Sequence, residues 1–434
     1  MRILQFTGSF GDGKCGVGDY SFHLARAIAR IGKNEVFTIT ATDSAEVARR
    51  HSLSADSECA DFADLGDGLF VAGGRGFGFG LRSKLAELGA KSNPDVVLVQ
   101  YPSKGYGWSL GIPFFDGIIR SLSARIGRKP PVFAVLHEYR DAHPARKAAV
   151  RRLARAASVL ISPCREEAEA IAGATGKYPR IIPAGDVFSE EIDGESYSRL
   201  KAAVESAAGN KAKLAALLES ETAEMKQVLP AQAREREALL EVLEWPQRNR
   251  FAMFTYGRIV PSKDPYVLLA ALDLVKREIP EVKLVIATST GSGRHQRIFE
   301  WHVEKLGLGR QVLFAGSHSA AALKFIAEKC ALQVYTFRDG FTTKRSSLIS
   351  ALSFDTPILS QHWTGTPPPP FEYATPGDYR ELAAKMIGIL GMGEGERRGY
   401  ENRQRDIQAG FRRQFDFKRI GELFIDEFAA SLDG

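Results

Sequence analysis

The sequence predicts an α/β protein made of two domains of similar size, each a parallel sheet covered by helices. In both halves of the 434-residue chain, short apolar runs bounded by turn residues alternate with amphipathic stretches, a pattern typical of parallel-sheet units. Between the halves, about residues 189–250 are rich in Ala, Glu, Leu and Lys and show little strand character. We therefore expect two Rossmann-like domains that face each other across a cleft, with a helical insertion at their junction.

The first domain is expected over residues 1–188. Its predicted strands are RILQF, EVFTITA, DVVLVQ, PVFAVL, SVLIS and RIIPA. Between the first two strands, the sequence DYSFHLARAIARIG places Phe22, Ala25 and Ile28 on one helical face. Gly32 marks the end of that helix, because glycine readily adopts the left-handed conformation that terminates helices.

The second domain is expected over residues 251–400, with strands at FAMFTY, KLVIA, QVLFA, LQVYTF and TPILS. In the preceding segment, 189–250, apolar residues recur at helical spacing and Pro230 separates two of the predicted helices. Residues 401–434 also have the apolar spacing of helices. They are expected to form a C-terminal helical segment.

The composition is that of a soluble globular chain, with 44% hydrophobic and 25% charged residues. No apolar run approaches the about 20 residues of a membrane-spanning helix, and the polar Gly-rich stretch after the first apolar run argues against a secretory signal. The four cysteines are scattered without a C-x-x-C pair, so neither structural zinc nor a disulfide framework is expected. We expect a cytoplasmic protein.

The net charge of +6 favours anionic partners. Much of the positive charge lies in PARKAAVRRLARAA, residues 144–157. This segment is either the solvated basic face of a surface helix or a peripheral contact with an anionic membrane, at the inner face of the plasma membrane. No aromatic-and-basic recognition motif accompanies the charge, so a nucleic-acid partner is not expected.

The Gly-rich stretch GSFGDGKCGVGDY, residues 8–20, permits three interpretations. A P-loop would need Ser or Thr where Cys15 stands, because its hydroxyl binds Mg²⁺. A dinucleotide-binding turn would need an acidic residue about 20 positions further on to hold the ribose, and the candidate, Asp43, lies beyond that distance. The third interpretation is a turn that needs bare backbone at Gly16 and Gly18, where the first helix begins.

Cationic side chains follow two predicted strands of the second domain. Arg258 and Lys263 stand in the loop after FAMFTY and just before a helix, an arrangement suited to a diphosphate. A second cluster follows LQVYTF and consists of Asp339, Lys344, Arg345, Ser346 and Ser347. Its cations and hydroxyls suit phosphate oxygens, and its carboxylate suits a sugar or ribose hydroxyl. Because the carboxyl ends of parallel strands meet at one edge of a sheet, both clusters are expected at one site.

In order along the chain, GVGDYSFHLARAI, VLHEY, YGRIVPSKDPYVLLAAL, VLFAG and the RDG segment ending in TPILS resemble a known enzyme family. This is the large retaining glycosyltransferase family of the family-4 type, which includes bacterial mannosyl- and glucosyltransferases of polysaccharide and lipid-glycan assembly. The resemblance spans nearly the whole chain apart from 189–250. It implies the GT-B fold, with the acceptor mainly in the first domain, the nucleotide-sugar donor in the second, and a final helix that crosses back to the first.

The resemblance also implies roles for individual residues. Gly16 and Gly18 would bring backbone close to the donor diphosphate and the reacting sugar. His137, directly after PVFAVL, corresponds to an active-site histidine that contacts the donor sugar. Arg258 and Lys263 would bind the diphosphate and stabilise it as it leaves. The implied activity is hexosyl transfer, with retention, from a nucleotide-sugar to a glycan or lipid-linked acceptor.

One part of the family pattern is missing. The family has an acid, seven residues and then a Glu that binds the nucleotide ribose. Starting from Asp339, this spacing ends at Ser347, whereas alignment on the proline of TPIL places Ser350 there. The DG-x-x-x-KR-S-S form resembles a bacterial variant in which the basic pair and the hydroxyls take over part of the phosphate binding. The identity of the donor therefore stays open.

No D-x-D or H-E-x-x-H motif is present, so we expect neither a metal ion nor another cofactor. The resemblance implies front-face attack, in which the leaving phosphate accepts the proton of the acceptor. Two other functions fit part of the sequence. The missing carboxylate fits a binding or scaffold protein that has lost catalysis, and the Gly-rich stretch fits an NAD(P)-dependent oxidoreductase.

Overall fold

The structure, a computed structural model, describes residues 1–11, 16–41, 61–73, 82–102, 106, 115–188, 192, 194–207, 210–219, 233–245, 247–288, 293–362 and 369–433. Cys15 and Asp43 from the Gly-rich interpretations, and Pro230 of the predicted insertion, lie outside the described residues. Within these ranges, no helix has both the length and the apolar character needed to span a membrane.

All the strands predicted from the sequence are present, together with β3, β4 and β14, which the apolar pattern did not mark. The strands are β1 (Arg2–Thr7), β2 (Glu35–Thr40), β3 (Ala63–Asp64), β4 (Leu69–Gly73), β5 (Val96–Tyr101), β6 (Val132–Leu136), β7 (Val159–Ser162), β8 (Arg180–Ile181), β9 (Asn249–Tyr256), β10 (Lys283–Ala287), β11 (Val312–Phe314), β12 (Cys330–Val334), β13 (Ile358–Gln361) and β14 (Glu372–Ala374). The helices are α1 (Gly16–Arg30), α2 (Arg82–Lys91), α3 (Phe115–Ile126), α4 (Pro144–Ala156), α5 (Arg165–Thr175), α6 (Gly194–Ala207), α7 (Lys211–Glu219), α8 (Ala233–Glu244), α9 (Pro265–Glu278), α10 (Arg294–Lys305), α11 (Ala320–Glu328), α12 (Ser346–Ala351), α13 (Tyr379–Gly391), α14 (Glu394–Arg412) and α15 (Phe417–Asp433).

Unit 1 comprises Met1–Val187 and Gln414–Gly434. Among the described residues, eight strands form one sheet in the order β3-β4-β2-β1-β5-β6-β7-β8, and only the β3–β4 pair is antiparallel. Successive residues of β1 enter different buried clusters, Ile3 on one face of the sheet and Leu4 on the other. Because both faces are covered, β1 is a nearly continuous apolar run rather than an alternating one.

The order of strands reverses at β1, which lies between β2 and β5. In open α/β sheets, ligands bind outside the carboxyl ends of the strands at such a reversal. The Gly-rich stretch begins at the carboxyl end of β1, and β5 and β6 end beside it. The topology of unit 1 therefore brings these three strand ends to one edge.

The last helix of the chain, α15, belongs to unit 1 and packs along α1. Its buried Phe417 lies against Tyr20, with ring centroids 5.7 Å apart. A Cβ atom at Gly185 would overlap the Phe417 ring, so this close approach requires glycine. The preceding helix α14 belongs to unit 2. The predicted helical segment 401–434 thus contains the boundary between the two units, at Gln414.

Unit 2 comprises Phe188–Arg413. In the part of the chain that the structure describes, its six strands form a fully parallel sheet in the order β11-β10-β9-β12-β13-β14. Strand β9 lies between β10 and β12, as β1 lies between β2 and β5 in unit 1. The predicted cationic loops follow β9 and β12. They therefore leave the sheet side by side.

The described helices of the 189–250 segment belong to unit 2. Helix α6 packs against α11, and α8 packs against β11, the edge strand of the sheet. Among the described residues, the apolar positions Leu200, Val204 and Leu214, which helped to predict these helices, are buried. An edge strand with unpaired backbone groups is a site for unwanted pairing. Because α8 packs against β11, this segment helps to protect the edge of the unit 2 sheet from such pairing.

Gly185→Ala is expected to destabilise unit 1, because its methyl group would enter the space of the Phe417 ring, which is only 1% exposed. Overpacking of this kind costs about 1–3 kcal/mol. The control is Gly173→Ala within α5, where a Cβ would meet nothing within 4 Å. That variant should be neutral or stabilised by about 0.5–1 kcal/mol. Urea unfolding followed by circular dichroism measures both, and a wild-type midpoint for Gly185→Ala would contradict the packing argument.

Candidate functional site

His137 lies at the carboxyl edge of the unit 1 sheet, directly after β6. Its backbone N–H donates to the carbonyl oxygen of Tyr101, at the end of the neighbouring β5, over 2.9 Å. The half-buried imidazole lies nearly perpendicular to the Tyr20 ring, with centroids 5.0 Å apart. The histidine chosen from the sequence therefore lies where the order of strands places ligands.

Two glutamines that the sequence analysis did not select are bonded in series to His137. The Gln100 side-chain oxygen accepts from His137 Nε2 over 2.9 Å, and the Gln100 amide donates to Gln5 Oε1 over 3.3 Å. Both glutamines are fully buried. The signal that could have found them is a polar residue inside an apolar strand, in RILQF and in DVVLVQ. Burial lowers the pKa of His137 to about 4, so the imidazole is neutral at pH 7.

The described part of the Gly-rich stretch has a packing role. Gly16 is the exposed first residue of α1, whereas Gly18 is buried. A Cβ at Gly18 would lie 2.9 Å from Ser9 Oγ and 3.1 Å from the Ser9 carbonyl carbon. The backbone N–H of Gly11 donates to the Gly18 carbonyl oxygen over 3.1 Å. Gly18 is therefore required for the close approach of α1 to the loop, which supports the interpretation of a turn with bare backbone.

In unit 2, Lys263 is positioned by the irregular backbone between β9 and α9. Gly257 has a φ of +102°, and a Cβ there would collide with Lys263 Nζ. The ammonium donates to the Tyr256 carbonyl oxygen over 3.4 Å, while the Thr336 hydroxyl donates to the Lys263 carbonyl oxygen over 2.6 Å. The Lys263 side chain thus occupies the space that glycine leaves free, next to the end of β12.

Burial and neighbouring cations lower the pKa of Lys263. Burial, followed by the positive charges of Arg345 and Arg258, lowers the pKa of Lys263 to about 8. Arg258 itself is exposed. The loops after β9 and β12 therefore share one electrostatic site, and Lys263, Arg258 and Arg345 are its centre. Like charges held together in this way favour the binding of an anion.

Asp339 is paired with both cations of its own loop. It forms an ion pair with Arg345, and its Oδ2 lies 3.6 Å from Lys344 Nζ. The Arg345 guanidinium also lies over the Phe337 ring, 4.8 Å from its centroid. Asp339 was expected to hold a sugar or ribose hydroxyl. In the structure this carboxylate pairs with Lys344 and Arg345, and its contact with a hydroxyl stays a prediction.

The serines after this loop lie in the short helix α12. Ser346 and Ser347 form its first turn, and Ser347 Cβ lies 3.9 Å from a Cβ placed on Gly257, close to Lys263. Ser350 is fully buried, and its Oγ has no hydrogen-bond partner among the described residues. A carboxylate at position 350 would be desolvated with few partners. The missing second carboxylate of the family pattern thus coincides with a buried position.

A small cavity of about 40 Å³ connects the two loops and is lined by Gly257, Arg258, Lys263 and Thr336, among others. A larger groove of about 520 Å³ lies along α9, α10 and α13, and none of the predicted site residues lines it. The cationic side chains therefore lie apart from the larger groove. The assignment of the candidate site rests on the cations and not on the size of the groove. In the described ranges, no group of three or more His, Cys, Asp or Glu side chains is arranged to hold a metal ion.

Residues 235–372 match the protein family described as Glycosyl transferases group 1. The matched range begins in α8 and ends at β14, so it includes Arg258, Lys263 and the cluster from Asp339 to Ser347. No curated protein sequence matches the chain.

Several solved structures match nearly the whole chain. Anabaena Alr3699/HepE, in complex with UDP and glucose, has a TM-score of 0.63 and 15% identity, and the match covers 99% of this chain and 100% of that one. Sucrose-phosphate synthase from Thermosynechococcus elongatus has a TM-score of 0.59, 16% identity and coverage of 99% and 100%. The lipopolysaccharide outer core galactosyltransferase WaaB has a TM-score of 0.55, 12% identity and coverage of 99% and 99%. At these identities the likeness concerns the fold.

Gly257→Ala is expected to weaken nucleoside diphosphate binding, because the methyl group would displace the Lys263 ammonium. A loss of about tenfold, equivalent to about 1.4 kcal/mol, is expected in the dissociation constant. Calorimetric titration with UDP, GDP and ADP measures it. The matched control is Gly377→Ala, which has a positive φ of +81° but nothing within 4 Å of a Cβ. It should lose stability by about 1–3 kcal/mol from backbone strain and keep wild-type affinity. Unchanged affinity in Gly257→Ala would contradict the placement of Lys263.

The family match and the fold agree. The expected α/β class with two Rossmann-like, parallel-sheet units is confirmed, and it is the GT-B fold of glycosyltransferase structures. The match favours glycosyl transfer over the oxidoreductase interpretation of the Gly-rich stretch. Residues 235–372 thus match the group 1 glycosyltransferase family in a chain of the GT-B fold, and together these findings support a glycosyltransferase.

Proposed function

We propose that the protein transfers a hexosyl group, with retention and without a metal ion, from a nucleotide-sugar to a glycan or lipid-linked acceptor. The observation that carries this proposal is the cluster of Arg258, Lys263 and Arg345 at the carboxyl edge of the unit 2 sheet, inside the matched range. Such a cluster suits the diphosphate of the donor. The proposed compartment is the cytoplasm.

The cations explain how the leaving group is stabilised. Negative charge grows on the diphosphate as the bond between sugar and phosphate breaks. Lys263 is held by the β9–α9 loop before the ligand arrives, so little reorganisation of this cation is needed during the reaction. Lys344 and Arg345 add positive charge that Asp339 offsets in part. These side chains supply the charge that a divalent ion supplies in other transferases, which supports transfer without a metal.

The state of His137 supports a front-face mechanism. Its pKa of about 4 makes the imidazole a weak base at pH 7. A histidine of this kind is suited to contact a sugar hydroxyl and poorly suited to remove the proton of the acceptor. In the proposed mechanism the leaving phosphate accepts that proton, so no enzyme carboxylate is required as the base.

The structural neighbours suggest which substrates to test first. HepE was solved with UDP-glucose as well as with UDP and glucose. The Staphylococcus aureus protein TarM, which has a TM-score of 0.50, was solved with UDP and alpha-GlcNAc-glycerol. We therefore place UDP-sugars first among donors, and glycans and lipid-linked sugars first among acceptors. A panel of UDP-, GDP- and ADP-sugars, measured by thermal shift, tests the donor class directly.

Helix α4 supports a further partner, an anionic membrane surface. Arg151, Arg152 and Arg155 are exposed, whereas Val150 and Leu153 on the opposite side are buried in the core. The apolar side chains of this helix are therefore not available for insertion. Contact with a membrane would be electrostatic and peripheral, as near the headgroups of a lipid-linked acceptor.

Arg258→Ala is expected to lower the turnover number about 100-fold or more, because it removes a fixed cation from the leaving diphosphate. The measurement is release of nucleoside diphosphate with the donor that gives the largest thermal shift. Arg310→Ala removes another exposed arginine of unit 2, outside the cationic loops, and should retain activity. Unchanged turnover in Arg258→Ala would reject the assignment. Donor binding without any turnover, across a broad acceptor panel, would favour the scaffold alternative.

A triple variant carries the substitutions Arg151→Glu, Arg152→Glu and Arg155→Glu. It is expected not to float with phosphatidylglycerol vesicles, because each exposed cation contributes about 1 kcal/mol near an anionic surface. Neutral phosphatidylcholine vesicles should not bind either protein. The charge-matched control changes Arg398, Arg403 and Arg405, exposed residues of α14, to Glu. Loss of binding in the control as well would point to net charge and not to α4, and no wild-type binding would leave only the solvated-face interpretation.

A further inference from the structure

A line of buried amide side chains runs from the interior of unit 1 to His137. Gln5 on β1 donates from Nε2 to the Ser21 carbonyl oxygen and to Thr38 Oγ1, each over 3.2 Å. Gln5 Oε1 accepts from Gln100 Nε2 over 3.3 Å, and Gln100 Oε1 faces His137 Nε2 at 2.9 Å. Gln5, Thr38 and Gln100 are all fully buried. Water therefore does not compete for these bonds, and each group must be matched by a protein partner.

The direction of every bond in this line is set at its inner end. A backbone carbonyl can only accept, so the Gln5 group that faces Ser21 must be the NH₂ group. Gln5 Oε1 then faces Gln100, which must present its own NH₂ group. The Gln100 oxygen is left to face the imidazole, and His137 Nε2 must carry the proton. Thr38 does not decide the direction, because its hydroxyl can either donate or accept.

If the side-chain amides of both glutamines were turned over, one contact in the line would become unfavourable. This reversed arrangement would turn the Gln5 oxygen towards the Ser21 carbonyl oxygen at about the distance of a hydrogen bond. Two acceptor oxygens would then face each other with no proton between them, which is unfavourable in a site closed to water. Only in that arrangement would Gln100 donate to Nε2 and place the histidine proton on Nδ1. The tautomer of His137 is thus decided by a carbonyl in helix α1 that does not touch the imidazole.

We propose that Gln5 and Gln100 are positioning residues that hold neutral His137 with its proton on Nε2, so that Nδ1 acts as a hydrogen-bond acceptor for a hydroxyl of the bound sugar. The assignment of the proton rests on the bonds described above. The identity of the ligand rests on the proposed function, which makes a sugar hydroxyl the donor that Nδ1 accepts. In this proposal unit 1 contacts the sugar through a neutral acceptor and not through a charge.

The test reads the tautomer directly by nitrogen NMR of the full-length protein labelled at histidine. The His137 signals are assigned by their loss in His137→Asn. The wild-type protein is expected to show the Nε2–H form in an excess of about tenfold, the size expected for one buried hydrogen bond. A dominant Nδ1–H form, or an equal mixture, would overturn the proposal without any variant.

Gln5→Met is expected to abolish that excess and show both tautomers, because the Gln100 amide is then free to turn over. Thr38→Val should retain the Nε2–H form, since the Ser21 carbonyl alone decides the direction. The matched control is Gln333→Met in unit 2. Gln333 is also fully buried, and it donates to the carbonyl oxygens of Ala351 and Thr356. It should leave the His137 signals unchanged. An unaltered tautomer in a folded Gln5→Met protein would overturn the role of Gln5.

Titration with the donor that gives the largest thermal shift separates this inference from the proposed function. A shift of the His137 Nδ1 signal, with Nε2 still protonated, is the expected result. If the Nε2–H form is present but no nucleotide-sugar moves the His137 signals, the positioning role stands and the donor assignment fails. If the signals move but the tautomer is Nδ1–H, the donor assignment stands and the positioning role fails.

Discussion

The Lys263 ammonium is held where a side chain at position 257 would be, and the rest of the unit 2 site depends on this placement. Burial and the charges of Arg345 and Arg258 make the protonated form unfavourable, which is why its pKa falls to about 8. The protein keeps cations close together although they repel one another, and in the described loops Asp339 balances them only in part. An anion at this edge relieves the repulsion. The proposed diphosphate would therefore gain from the loss of this repulsion when it binds.

Unit 1 buries uncharged polar groups, whereas unit 2 buries a cation. Its central groups are neutral: the amides of Gln5 and Gln100 and an imidazole whose pKa burial lowers to about 4. The amide nitrogen and oxygen of both glutamines each have a protein partner, so a well-defined orientation is obtained without any charge. The two units thus contribute different chemistry. The described cations lie in the loops of unit 2, whereas the line of amides and imidazole in unit 1 is uncharged.

Most of the fold could be predicted because buried parallel strands are continuous apolar runs, and β1, β5, β6 and β9 have that pattern. Strand β3 could not be predicted, since it is only two residues long and not fully buried. The position of the cations at the carboxyl edge of the sheet was also predictable, because the carboxyl ends of parallel strands meet at one edge. The ion pairs of Asp339 were not predictable, because its partners Lys344 and Arg345 are brought to it by the fold of a loop.

The sequence by itself determined the class of the protein: two parallel sheets, the loops at their carboxyl ends, and the residue types in those loops. Tertiary structure alone decided which of these side chains act on each other. Gln5 and Gln100 are 95 positions apart, and their contact exists because β1 and β5 are neighbours in the sheet. Gly257 and Lys263 are close in sequence, yet only the positive φ of Gly257 opens the space for the ammonium. The local sequence pattern indicates which residues are buried and how they are spaced. The direction of a hydrogen bond and the pKa of a cation depend on atoms that the fold brings together.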